Sequence, residues 1–143
     1  MLVLIQRDGW FVGSSFDDLA EYLRADAQYP ADRVEQSRCT CGHVAFELEI
    51  DDEQGCARRI CLSCRAVVFL GDSEDVWSTS DPGTATCPCE AERFEVGVGF
   101  SLLDGEDIYW ITVGARCLAC GILAVYADWT IDYRPTAHLF AAV

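Results

Sequence analysis

Nine cysteines in 143 residues are the side chains here best able to do chemistry. Eight of them fall into two sets with one grammar. Cys39 and Cys41 flank a single residue, nineteen residues follow, and Cys61 and Cys64 flank two. Cys87 and Cys89 repeat the first spacing, twenty-seven residues follow, and Cys117 and Cys120 repeat the second. Two thiolates one or two residues apart on a tight turn can reach one ion together. A second such pair completes the four tetrahedral sulfur ligands, at about 2.3 Å, that structural zinc takes. The pattern predicts two zinc ions, one on Cys39, Cys41, Cys61 and Cys64 and one on Cys87, Cys89, Cys117 and Cys120. Iron accepts the same four thiolates and is the minor alternative, because spacing does not separate the two metals.

The other reactive side chains give weaker signals. Cys56 is left over and reads as an incidental thiol; the sharper idea is a spare thiol that promotes metal release on oxidation. His43 follows Cys41 by two residues, where four cysteines already complete a site, so it reads as an exposed turn residue. His138 has no neighbouring carboxylate or cysteine in sequence. The run Asp51-Asp52-Glu53 reads as a solvated hairpin tip rather than a divalent-metal site. A phosphate-binding loop, a dinucleotide glycine fingerprint, an H-E-x-x-H motif and the deaminase zinc signature are all missing from the sequence. A zinc ion saturated by four thiolates offers no position for water or substrate. No catalytic residue is expected.

Strands must bring the paired turns together. VAFELEI places Phe46, Leu48 and Ile50 on one face and Glu47 and Glu49 on the other. FEVGVGFSL aligns Phe94, Val96, Val98, Phe100 and Leu102, and DIYWITV follows an Asp104-Gly105 turn that marks a hairpin. AVVFL and ILAVY, after the second cysteine pairs, read as buried strands. The two stretches also share more than cysteines. Phe46 and Phe94 lie five residues past their Cys-x-Cys, Leu62 and Leu118 fill one slot, Asp72 and Asp128 another, and Trp77 and Tyr133 a third. Shared offsets at so many positions indicate duplication of one unit of about fifty residues.

The arrangement resembles the zinc-ribbon group, in which two cysteine knuckles on β-hairpins clasp one zinc, over residues 39–77 and 87–133. Its departure is the Cys-x-Cys first knuckle, where Cys-x-x-Cys is commoner. The expected fold is α+β, mostly β: two zinc-ribbon-like antiparallel β units in tandem with a small N-terminal ββα element. The expected division is 1–35 for the cap, 36–80 for the first repeat and 81–143 for the second. In the cap, LVLIQ and WFVG flank an Asp8-Gly9 turn. Ser15 and Asp18 form a capping-box variant, and Phe16, Leu19, Ala20 and Leu23 make a helical apolar stripe. The cap is expected to lay its helix on the ribbons; a partner-binding surface around Trp10, Phe11 and Tyr22 is the sharper alternative. Asp81-Pro82-Gly83 reads as a linker, and the tail past Arg134-Pro135 as a final strand or a fraying end.

Composition bounds the function. Twenty-four acidic residues against ten basic ones give −14, and two dications on eight thiolates take this to about −18. That field repels phosphates, so nucleic-acid binding is not expected; Arg58, Arg59 and Arg65 are the only basic concentration. All ten basic residues are arginine and asparagine is missing, a usage bias of GC-rich bacterial genomes. The first residues make a poor signal peptide and no apolar run approaches the ~18 residues of a membrane span, so a cytoplasmic protein is expected. In a reducing compartment the cysteines argue for metal over disulfides. The reading is an acidic, non-catalytic interaction protein with a basic protein partner, one version being a bacterial immunity or antitoxin-type inhibitor. The alternatives are a redox-responsive zinc–thiolate switch and a rubredoxin-like iron electron carrier. Oligomeric state is not legible.

Overall fold

The computed structural model describes residues 4–143, so Leu2 and Val3 of the first expected strand lie outside the described residues. Among the described residues the chain is mostly β, with one α-helix and two sheets. The first sheet is a hairpin, β1 (Ile5–Arg7) and β2 (Trp10–Val12). Its Asp8-Gly9 turn has positive φ at both residues, 54° and 84°, which matches the twist of tight hairpins. The helix α1 (Phe16–Arg24) follows and buries Leu19, Ala20 and Leu23. Its cap differs from the expected box. The Ser15 side chain makes no capping bond; instead the Ser14 amide donates to Asp18 Oδ2 at 2.8 Å.

The second sheet holds both repeats. Its strands are β3 (Arg33–Gln36), β4 (Phe46–Asp51), β5 (Cys56–Cys61), β6 (Val67–Phe69), β7 (Gly83–Thr84), β8 (Phe94–Leu103), β9 (Asp107–Cys117) and β10 (Leu123–Thr130). The main order is β10-β9-β8-β4-β5-β6, a palindrome of third, second and first strands. At its centre Phe46 of β4 pairs with Phe94 of β8, antiparallel, and both rings are fully buried. The register on either side is the same. Phe46 pairs with Cys61 across β4–β5, and Phe94 with Cys117 across β8–β9.

Each repeat also lends its leading strand to the other. β3, ahead of the first cysteine turn, pairs with β8; β7, ahead of the second, pairs with β4. The Ser37 amide donates to the Val96 carbonyl at 2.9 Å, and the equivalent Ala85 amide to the Leu48 carbonyl at 2.8 Å. One core runs through both units, from Phe46, Leu48 and Leu70 to Phe94, Val98, Ile111 and Trp129. The segment read as a linker contributes β7.

β8 is buried on both faces, which its alternating pattern does not announce. The second face is covered by α1, and the glycines make room. A Cβ on Gly97 would stand 3.1 Å from the Phe16 ring, and one on Gly114 only 2.7 Å from Leu23. By contrast β6, expected to be buried, is exposed at Val67 and only half-buried at Val68 and Phe69, because it ends the sheet. The tail is neither a strand nor a loose end. A 3₁₀ turn over Ala137–Ala141 buries Leu139 and sets Phe140 edge-on to Phe100, with ring centroids 5.0 Å apart. Among the described residues no helix is long and apolar enough to cross a membrane.

Candidate metal centres

The eight paired cysteines converge as two quartets. Cys39, Cys41, Cys61 and Cys64 place their sulfurs within 4.8 Å of one another, and Cys87, Cys89, Cys117 and Cys120 do the same. Cross-pair separations are 3.4 Å for Cys39–Cys64, 3.6 Å for Cys41–Cys61, 3.5 Å for Cys87–Cys120 and 3.6 Å for Cys89–Cys117. A disulfide needs about 2.05 Å. A tetrahedron of sulfurs about 2.3 Å from a central ion has edges of about 3.8 Å. The quartets fit the second geometry, and two groups of four cysteines here can each bind a metal ion.

Backbone hydrogen bonds build the turns identically. The Cys39 amide donates to the His43 carbonyl at 2.9 Å and the Gly42 amide to the Cys39 carbonyl at 2.9 Å. Cys87 and Ala91, then Glu90 and Cys87, repeat this at 2.8 and 2.7 Å. In the second turns the Arg65 amide donates to Cys61 and the Gly121 amide to Cys117, both at 2.9 Å. These tight turns need a left-handed residue just past the cysteine pair, supplied by Gly42 (φ 93°), Arg65 (65°), Glu90 (76°) and Gly121 (82°). The unusual Cys-x-Cys spacing closes around this residue. The second pairs begin on the last residues of β5 and β9 and the first pairs lie in the loops ahead of β4 and β8, so the β4–β5 and β8–β9 hairpins hold the pairs in register.

The turns also aim amides at sulfur. The Cys41 amide donates to the Cys39 sulfur and, with the neighbouring Cys64 thiol, pulls Cys39 down to about 6. The Cys64 amide does most to lower Cys61, against the cost of burial. At Cys117 burial opposes ionisation, but amides from Cys120 and Ala119 outweigh it and bring the thiol to about 7. The partners move the other way. The His43 amide favours the Cys41 thiolate, yet burial and the three neighbouring cysteines push that thiol up to about 11. Burial also pushes up Cys87 and Cys120. Each quartet thus holds thiols drawn toward ionisation beside thiols pushed away from it, as expected where like charges crowd. A bound dication would displace those protons and hold all four as thiolates.

Two buried donors without hydrogen-bond partners sit at the quartets, and the sequence did not single out either role. Arg59 is 6% exposed, its Nη1 has no partner, and its guanidinium lies against Cys39 with Cys61 and Cys64 in electrostatic reach. Burial works against its charge, and those cysteines support it. The Tyr126 hydroxyl is buried, has no partner, and lies within electrostatic reach of the second quartet; burial first, then the cysteines, raise it far above an ordinary phenol. Arg59 was legible as an arginine on the inward parity of β5, between Ala57 and Cys61. Tyr126 was not, because a bulge between Val125 and Ala127 sets its direction.

The remaining candidates have other duties. His43 is exposed, its Nδ1 3.4 Å from the Cys41 sulfur. His138 is exposed on the terminal turn. Cys56 is fully buried and five residues from Cys61 along β5, about 16 Å at ~3.3 Å per residue, so it is no neighbour of the first quartet. Burial raises its thiol. Asp51 closes the β4–β5 hairpin, accepting from the Asp81 amide at 2.8 Å and from Glu53 and Gln54 at 3.1 Å, which keeps its carboxyl low. Arg58 pairs with Glu49 and lies 4.6 Å over the Trp77 ring, and Arg65 pairs with Glu47. With Arg59 buried, the basic concentration seen in sequence is committed within the fold. Trp10 stands 43% exposed, whereas Phe11 and Tyr22 pack together at 5.7 Å against the helix cluster. No protein-family model, curated protein or solved structure matches this chain.

Proposed function

We propose that this chain is a zinc-stabilised interaction module, a tandem zinc-ribbon-like protein whose two Zn(Cys)₄ centres are structural and whose acidic surface docks on a basic protein partner. The observation that carries the reading is the closed, all-sulfur make-up of both quartets. Neither group includes a histidine or carboxylate that would mark an open catalytic position. The amides directed at sulfur, and the orphaned Arg59 and Tyr126 donors, supply what a doubly negative zinc–tetrathiolate requires of its surroundings. The partner is inferred from the −14 charge, which attracts basic surfaces and repels nucleic acid. An immunity or antitoxin-type inhibitor of a basic toxin is the concrete version of that partnership.

Metal analysis of the purified chain tests the first half: two zinc ions per chain and no visible colour support it. Red protein carrying iron moves the reading to electron transfer. For the second half, the expected result is a stoichiometric complex with a basic protein whose association slows as salt rises. Association that is indifferent to salt, or salt-sensitive binding to nucleic acid, would count against it. The redox alternative draws on one observation, the exposure of Cys41, Cys64 and Cys89, and predicts zinc release by mild peroxide.

A further inference from the structure

The two quartets are equivalent in backbone and unequal in charge. β5 and β9 carry the same register into their second turns, so the residue two before each turn can be compared directly. In β5 it is Arg59, opposite Leu48; in β9 it is Ala115, opposite Val96. Arg59 is held from several sides. Its Nε donates to a main-chain oxygen of Val143 at 2.9 Å, Nη2 to the Arg38 carbonyl at 3.4 Å, and its Cζ lies 4.6 Å from the Phe46 ring centroid. What remains is Nη1, a buried cationic donor with no hydrogen-bond partner, on a guanidinium anchored at the carbonyl next to Cys39 and carried two residues before Cys61. The second quartet has a neutral hydroxyl instead, that of Tyr126, where the first repeat has the wholly apolar and buried Leu70.

A dication on four thiolates carries a formal −2. One buried guanidinium offsets part of that at the first centre, and in a low-dielectric setting such a charge acts strongly. Other cations lie near both centres, but Arg116, beside Cys117, is neutralised by Glu95 at 2.9 Å, and the rest stand at the surface. Arg65 is exposed and paired with Glu47, and Arg7 reaches the Cys120 carbonyl at 3.0 Å from an exposed position. Water and salt screen both. We infer that Arg59 is a charge-compensating residue that makes the first centre the retained metal site and leaves the second as the labile one, first to yield its ion to a chelator. The inference rests on the metal reading above. It also opposes what exposure alone predicts, since two cysteines of the first quartet, Cys41 and Cys64, are exposed residues and only Cys89 is in the second.

The test uses the zinc-loaded full chain, a limiting amount of a strong zinc chelator, and short pulses of N-ethylmaleimide read by peptide mass mapping. Cys87, Cys89, Cys117 and Cys120 should be modified about tenfold or more faster than Cys39, Cys41, Cys61 and Cys64, the size expected of an outer-shell partner. Arg59→Met should bring the two rates together by speeding the first quartet alone. Arg59→Lys, which keeps a charge, should preserve the order, and so should Tyr126→Phe. A first quartet that reacts as fast as the second in the unaltered chain overturns the inference, whether or not Arg59→Met folds. An order unchanged in Arg59→Met overturns it equally. A chain that holds fewer than two zinc ions at the outset removes the metal reading and this inference with it; two ions lost in the wrong order remove the inference alone.

Discussion

Glu95 and Arg116 face each other across β8 and β9, 2.9 Å apart and nearly buried, with Gln36 donating to the second carboxylate oxygen at 3.3 Å. Removing one partner strands the other charge in the interior. Glu95→Ala is therefore expected to cost about 3 kcal/mol of unfolding free energy in urea; a loss below about 1 kcal/mol would mean that water reaches the guanidinium freely. At this scale the sequence was informative where residue type alone decides chemistry. Eight cysteines could be paired by counting. Charged residues were harder: strand parity was the available signal for Arg59, whereas Arg116 looks on paper like the other arginines and only its pairing with Glu95 shows its burial. Asp72 and Asp128 are a middle case. Their shared slot was visible, but its use was not: Asp72 accepts from the Trp129 indole at 3.0 Å and the Tyr133 hydroxyl at 2.9 Å, while Asp128 accepts from Trp110 at 3.3 Å.

Among the elements, α1 lies on a notch cut by glycines in β8 and β9. Adding one carbon at Gly114 would press on Leu23 at 2.7 Å, so Gly114→Ala should destabilise by about 1–3 kcal/mol. Leu23→Ala alone should cost about 2–5 kcal/mol. In the double variant the new methyl enters space that the leucine vacated, so the combined loss should fall short of the sum. Additive losses in denaturant titrations would place the helix elsewhere. Hairpins were legible here because Asp8-Gly9 and Asp104-Gly105 require positive φ, and both pairs adopt it. The covered second face of β8 was missed because Gly97, Gly99 and Ser101 carry no large apolar side chain to mark it. Alternate glycines within a strand were the available signal of a close approach. β3 and β7 carry little apolar pattern of their own and become strands through their partners.

For the molecule as a whole, duplication was readable but its geometry was not. Spacing reports distances within a repeat and says nothing of how two repeats meet. Here they meet head to head at Phe46 and Phe94 and exchange β3 and β7 across the junction. A core shared in this way should melt as one unit. Tryptophan fluorescence, drawing on Trp10, Trp77, Trp110 and Trp129, and far-ultraviolet dichroism should give coincident denaturant transitions for the zinc-loaded chain. Two resolved transitions would mean that each repeat is stable alone and the exchange is superficial.

Zinc-edge X-ray absorption, combined with metal stoichiometry, tests the central claim most directly. Two zinc ions per chain, each surrounded by four sulfurs at about 2.3 Å, is the result the quartets predict. A first shell containing nitrogen or oxygen, or a single zinc per chain, would contradict it and reopen the case for an accessible metal.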